Sequence, residues 1–190
     1  MQRYMVRLLN RGYGPEDARM ILRRVLSMVS AMGDAVDLRD VRVASRHIEL
    51  DVSLEPSMLD RLMAVLRDVA EPVGYTEVRE RAMSKEERII HARELFNAER
   101  YWEAHEMLEG AWRDSTGDEK ELLQGIILVC AALVHAQKAE HDVCISILRR
   151  ALSKLQGKPE HYHGLDVAGM VRQVGRALGG DIGAILEYRL

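Results

Sequence analysis

The hydrophobic period changes once along this 190-residue chain, near residue 80, and that change bounds the fold more tightly than composition does. Before it, "RHIELDVSLE" alternates: Ile48, Leu50, Val52 and Leu54 fall on one side of an extended chain, and His47, Glu49, Asp51 and Ser53 on the other. From about Met83 to the last residue, apolar positions recur three and four apart, the spacing of helices that bury one face. A period of two and a period of 3.6 cannot share one element. The pattern therefore predicts an α+β chain in two domains: residues 1–80 with strands and helices, and residues 81–190 all helical.

In the first half, "RYMVRLL" (Arg3 to Leu9) reads as a strand, and Pro15 opens a helix where its missing N–H costs nothing. That helix runs through Ala18, Ile21, Leu22, Val25, Leu26 and Val29, and Gly33 closes it. Val41 and Val43 mark a second strand, Ser45 and Arg46 a hairpin tip, and His47 to Leu54 a third strand. Pro56 opens another helix through Leu59, Leu62, Met63, Leu66 and Val69; Pro72 and Gly74 end it, and "YTEVRE" supplies the last strand. The order β-α-β-β-α-β predicts a ferredoxin-like domain. Many functions share that fold, so it argues for none. Outward acids at Glu49 and Asp51 would repel phosphate, and the balance of 27 basic against 30 acidic residues shows no polyanion bias, so no nucleic-acid partner is expected. A docking or dimerisation role suits the domain better.

The second half reads as a five-helix bundle, with helices near 84–98, 100–114, 118–138, 140–156 and 165–188, the last breaking near Gly179–Gly180. Ser84 and Glu87 have the spacing of a capping box. "QGKPEHYHG" (Gln156 to Gly164) reads as a loop whose His161 and His163 are solvated. The longest apolar run, Gly125 to Ala136, is too short to cross a bilayer and suits a buried helix, so no membrane partner is expected. The opening "MQRYMVRLLNRGYG" has no apolar core or cleavage pattern, and Cys130 and Cys144 sit in apolar helical settings as reduced thiols. These features predict a cytoplasmic protein. Tyr101, Ala104, Leu108 and Ala111 are echoed 40 residues later by His141, Cys144, Leu148 and Ala151. That run of small and large positions resembles the second helix of a tetratricopeptide repeat and predicts two such hairpins, too few for an open solenoid.

Chemistry concentrates in "YWEAHEMLEGAW" (Tyr101 to Trp112), which holds both Trp of the chain, with a Tyr, three Glu and a His. On a helical wheel Tyr101, Ala104, Leu108, Ala111 and Trp112 form a core stripe with His105 at its edge. Trp102, Glu106, Glu109 and Arg113 form the adjoining stripe, and Glu103, Met107 and Gly110 face away. His105 and Glu109 are one turn apart. On the next helix Gln124 and His135 share a stripe with Leu128 and Ala131, and on a buried helix they need partners, for which His105, Glu106 and Glu109 are candidates. The candidate pocket is thus Trp102, Glu103, His105, Glu106, Glu109, Trp112, Arg113, Gln124 and His135.

Three readings compete. The cluster is a satisfied polar core; or His105, Glu106, Glu109 and His135 hold a divalent transition metal, as imidazole and carboxylate suit, for a hydrolase or oxidoreductase; or His105 acts as a metal-free base oriented by a Glu. No glycine-rich phosphate loop, Cys-x-x-Cys pair or Ser-centred elbow accompanies them. The favoured reading is a non-catalytic binding or scaffold module whose cluster sets the bundle's geometry or lines a small-molecule pocket. An apolar stripe left exposed would imply a homodimer or a protein partner.

Phe96-Asn97, Tyr101-Trp102-Glu103-Ala104-His105-Glu106, Leu108-Glu109, Trp112, Leu123-Gln124-Gly125 and His135 stand together as in the domain of unknown function 309 family, which the chain resembles from about Ser84 to Asp166 or to the last residue. The resemblance implies a small all-α bundle with no established activity. It does not extend to the first 80 residues. The chain departs from the family pattern at Glu140–His141 with Cys144, where a Gly or Asn turn followed by Ala would be expected.

Overall fold

The computed structural model describes residues 1–79 and 82–190. The chain is α+β, with an N-terminal antiparallel sheet and C-terminal helices. It divides into two compact units, one of Met1–Arg81 with Gln137–Ala139, the other of Ala82–Ala136 with Glu140–Leu190.

The first unit contains β1 (Gln2–Leu9), α1 (Ala18–Ser30), β2 (Val36–Val43), β3 (His47–Leu54), α2 (Leu59–Leu66) and β4 (Pro72–Glu77). Pro15 and Pro56 each begin a 3₁₀ turn that leads into the helix expected there. The sheet order is β2-β3-β1-β4 and every neighbouring pair is antiparallel. Register places Val6 opposite Leu50 and Leu8 opposite Ile48. One face of the sheet therefore packs its even-numbered apolar residues with Ile21, Val25 and Val29 of α1 and Leu62 and Leu66 of α2. β4 starts earlier than the sequence suggests. Pro72 opens the strand rather than ending the helix, which an edge strand's first position tolerates because no ladder N–H is needed there. Glu80, where the expected strand ends, lies outside the described residues.

The opposite face of β3 corrects the expectation that His47, Glu49 and Asp51 point into water. Glu49 and Asp51 are 2% and 3% exposed, and so is the Arg42 guanidinium, at 2%. Arg42 Nε donates to Glu49 Oε1 at 2.9 Å, and Arg3 donates to both Asp51 oxygens at 2.8 and 2.6 Å. Charges this far from water persist only when paired. The acids of β3 are matched by arginines on the two strands beside it, so they do not form a bare negative surface.

The second unit contains α3 (Lys85–Asn97), α4 (Tyr101–Arg113), α5 (Gly117–Ala136), α6 (His141–Leu155), a hairpin of β5 (His161–Tyr162) and β6 (Leu165–Asp166), α7 (Val167–Leu178) and α8 (Ile182–Leu186). The Ser84 capping box forms as the spacing predicts: Glu87 N donates to Ser84 Oγ at 3.2 Å, and Ser84 N to Glu87 Oε2 at 2.8 Å. The core joins Ala104, Leu108 and Ala111 of α4, Leu122, Ile126, Val129 and Leu133 of α5, and Cys144, Leu148 and Ala151 of α6. Gly125 lets α6 approach: a Cβ there would lie 2.7 Å from Leu155 Cδ2. Among the described residues, no helix is long and apolar enough to cross a membrane.

The 40-residue echo extends to the backbone. Glu99 and Ala139 both adopt left-handed conformations, with φ of 59° and 56°. Arg100 N donates to Leu95 O at 2.9 Å and Glu140 N to His135 O at 3.0 Å; Ala104 N then donates to Arg100 O and Cys144 N to Glu140 O, both at 3.0 Å. The left-handed turn that a Gly or Asn would ordinarily supply is thus made by Ala139. The expected loop at 156–164 is partly a hairpin. His163 and Gly164, both with positive φ, form its two-residue tip. Tyr162 Oη donates to Glu119 Oε1 at 2.7 Å, and Lys85 Nζ donates to both Glu119 oxygens at 2.9 Å, tying the hairpin to α5 and α3. The helix break near Gly179–Gly180 occurs as expected, and Asp181 caps α8 through Ala184 N.

Candidate functional site

α4 presents its polar residues in three different situations, and the wheel distinguishes only some of them. Glu103, expected to face away, is 7% exposed. Arg100, one turn earlier, donates to it through Nε at 2.5 Å and Nη2 at 2.6 Å. This acid in the first turn of a helix is held by a bidentate guanidinium and also favoured by the helix dipole. Glu103 is thereby a structural element of the turn into α4. Met107, also expected to face away, packs against the core, and Gly110 lies under Arg88, whose Nε donates to Met83 O at 3.2 Å.

His105, Glu106, Glu109 and Trp112 form the second group. All four are half-buried, and Arg113 beyond them is exposed. His105 Nε2 stands 3.9 Å from Glu109 Oε1, and its Nδ1 stands 3.4 Å from Glu106 Oε1 without hydrogen-bonding geometry. His105 Nδ1 and Trp112 Nε1 are buried atoms with no hydrogen-bond partner among the described residues. These two residues are seven apart, two turns on one side of α4, with Glu109 between them. Lys120 Nζ sits 4.1 Å from the centre of the Trp112 ring, a cation–π contact that fixes the indole from its face and leaves its N–H without a partner. Trp102, at the start of the helix, is half-buried.

The residues expected from α5 stand elsewhere. Gln124, Leu128, Ala131 and His135 do share a stripe, but it is half-exposed, and His135 takes its partner from the following turn. His135 Nδ1 meets Glu140 Oε2 at 2.5 Å. A three-residue connection, 114–116, makes α4 and α5 antiparallel neighbours. His105 lies eight residues before the last of α4 and His135 eighteen after the first of α5. At about 1.5 Å per residue the two imidazoles are about 15 Å apart along the pair. His105, Glu106, Glu109 and His135 are therefore not gathered around one point, and among the described residues no group of three or more His, Cys, Asp or Glu is arranged to hold a metal ion. The physical reason is axial offset: residues on two antiparallel helices meet only when they are equally far from the shared turn.

Some chemically notable residues were missing from the sequence-based set. Arg42, Arg3, Glu49 and Asp51 become visible only once strand register is known. Glu119, with Lys85 and Tyr162, depends on the unforeseen hairpin. Arg93, Asn97 and Glu99 carry little signal individually, although Asn97 was among the residues bearing the family resemblance.

Residues 89–146, which take in most of α3, all of α4 and α5 and the start of α6, match the family model described as "Domain of unknown function (DUF309)". Among solved structures, a conserved hypothetical protein from Thermus thermophilus is 38% identical; the match covers 47% of this chain and 94% of that one, with a TM-score of 0.43. None of the curated proteins matches the chain. Through its helical half, the chain belongs to the domain of unknown function 309 family.

Proposed function

We propose that the helical half is a non-catalytic binding module, with the His105–Glu109–Trp112 side of α4 as its binding wall. One observation carries this reading: two ring nitrogens on that side, His105 Nδ1 and Trp112 Nε1, are buried without partners among the described residues. An unsatisfied buried polar atom costs about 1–3 kcal/mol, and a ligand that supplies the missing bonds recovers it. The groups specify the ligand's chemistry. Trp112 Nε1–H can only donate, and an ionised Glu109 can only accept. A ligand matching both carries an acceptor and a donor side by side, as a neutral amide does. A bare carboxylate would be repelled by Glu106 and Glu109. Trp102 precedes this wall on α4 and Arg113 follows it, Gln124 lies on the half-exposed stripe of α5, and Glu103 and His135 are held by Arg100 and Glu140 outside it.

The test is a titration of ¹⁵N-labelled protein with N-methylacetamide and, separately, acetate. The Trp112 indole resonance should move saturably with the amide and not with acetate, while that of Trp102 serves as the internal control. Equal, unsaturable movement of both indoles overturns the reading. A second reading, a metal-dependent hydrolase or oxidoreductase, rests on the one-turn pairing of His105 and Glu109. Near-stoichiometric metal in protein purified without an affinity tag, lost in His105→Ala, would favour it.

The same proposal extends to the architecture. The strand order and the split β-α-β connections support a ferredoxin-like first domain at 1–80. The repeated left-handed turns support tetratricopeptide-like hairpins in the domain at 81–190. The unpaired Cys130 and Cys144 support a cytoplasmic setting, and the charge balance supports a role without nucleic acid. Val73 and Tyr75, exposed on the edge strand β4, support a second copy or a protein as partner.

A further inference from the structure

Asn97, the last residue of α3, holds the main chain of Leu190 at both its polar groups. Leu190 N donates to Asn97 Oδ1 at 2.7 Å, and Asn97 Nδ2 donates to Leu190 O at 2.8 Å. Arg93, one turn earlier, adds a bond to the same oxygen at 2.9 Å. A side-chain amide has one acceptor and one donor edge, so it matches one residue's N–H and C=O without reading its side chain. Around this pair the neighbouring residues are read individually. Tyr188 packs edge-on to Phe96, whose ring also meets Tyr101 edge-on, and Tyr188 Oη donates to Asp166 O at 2.8 Å. Gly169 keeps that position open, since a Cβ there would come within 2.5 Å of the Tyr188 hydroxyl. Glu99, set by its left-handed backbone, pairs with Arg189 at 2.8 Å.

We infer that Asn97 and Arg93 form a main-chain-reading peptide clamp which Tyr188–Leu190 fills in cis, and that the clamp's other occupant is a non-helical segment of a partner protein with the order aromatic, basic, apolar. The clamp's polar groups fall inside the family-matched residues 89–146, and the segment filling it falls outside them. The matched helices supply the main-chain clamp, while Asp166 and Gly169, which seat Tyr188, lie beyond the match. Main-chain bonds supply affinity to any segment, whereas the aromatic seat and the acid at Glu99 select which one, the division of labour in other peptide-binding grooves. The cis segment makes the site self-inhibited until a competitor displaces it.

The probe is a fluorescein-labelled peptide of this chain's "AILEYRL", followed by anisotropy against full-length protein. If the cis segment occupies the clamp nine-tenths of the time, releasing it tightens apparent binding about tenfold. The Tyr188→Ala/Arg189→Ala variant should therefore bind the probe at least about tenfold more tightly than wild type, and adding Asn97→Ala should remove that gain. Equal binding by wild type and the released variant, or none by a released variant with native circular dichroism, overturns the proposal. A measurement on the unaltered protein guards against misfolded variants: excess unlabelled peptide should accelerate hydrogen exchange at the Leu190 amide. Unchanged exchange under saturating peptide overturns it equally.

Discussion

Two glycines inside helices of the second unit should respond oppositely to the same substitution. Replacing a helix-interior Gly by Ala gains about 1 kcal/mol of intrinsic helix stability. At Gly175, on the exposed side of α7, a new Cβ meets nothing within 4 Å, so that gain is unopposed and Gly175→Ala should stabilise by about 0.5–1 kcal/mol. At Gly125 the new Cβ would lie 2.7 and 2.8 Å from Leu155 Cδ2 and Cγ and 3.2 Å from Lys154 Cβ. Forcing an extra methyl into a packed interface costs about 1–3 kcal/mol, so Gly125→Ala should lose about 1 kcal/mol net. Leu155→Ala alone should cost about 2–5 kcal/mol by leaving a cavity. The double variant should be less destabilised than the two losses combined, because the alanine methyl enters that cavity. Both tryptophans lie on α4, so fluorescence during urea unfolding reports this unit. Equal stabilisation by Gly125→Ala and Gly175→Ala would refute the packing argument between α5 and α6.

Other perturbations test separate parts of the structure. Ala139 at φ 56° holds a conformation that costs an L-residue about 1–2 kcal/mol, so Ala139→Gly should raise the melting temperature despite glycine's larger unfolded-state entropy. Arg42→Ala should destabilise by about 3–5 kcal/mol, read from denaturant curves by circular dichroism, because it leaves Glu49 buried without its guanidinium. Burial pushes the Cys130 thiol up from 9.0 to about 12 and the Cys144 thiol up to about 11. Both therefore ionise more readily in the unfolded chain, and their contribution is complete below pH 9.0 and lost progressively as pH rises toward 11 and 12. Denaturation midpoints measured from pH 8 to 11 should fall, and should fall less steeply in a Cys130→Ala/Cys144→Ala variant.

The parts readable from sequence were those set by local chemistry. Alternation along His47–Leu54, the prolines at 15 and 56, the Ser84 capping box and the glycine break after α7 each act within a few residues, and each places its element. The parts not readable needed a second element. Glu49 looks solvent-facing until strand pairing brings Arg42 opposite it. Glu103 looks outward on a wheel because a wheel omits Arg100, which lies just before the helix and folds back onto it. The wheels alone offer His135 to the acids of α4; the rise along each helix, which a wheel omits, sets it about 15 Å along the bundle, where Glu140 is the nearer partner. The hairpin at 161–166 has strands of two residues, too short for any periodicity to register. Of the candidate cluster, the side of α4 bearing His105, Glu109 and Trp112 stays together, and the rest disperses to structural tasks.

The sign of a stability change tests the binding-wall account most directly. Ring nitrogens kept for a ligand contribute nothing to the unliganded fold, whatever the rings add by packing and by the Lys120 contact, and buried unpaired polar atoms oppose it. His105→Leu and Trp112→Phe each remove one such atom while keeping most of the apolar volume. Melting temperatures of the two variants should equal or exceed that of the wild type, with about 2–4 °C of shift per kcal/mol for a chain of this size. A drop of several degrees in both would mean that these rings stabilise the bundle through bonds of their own, and would contradict the account.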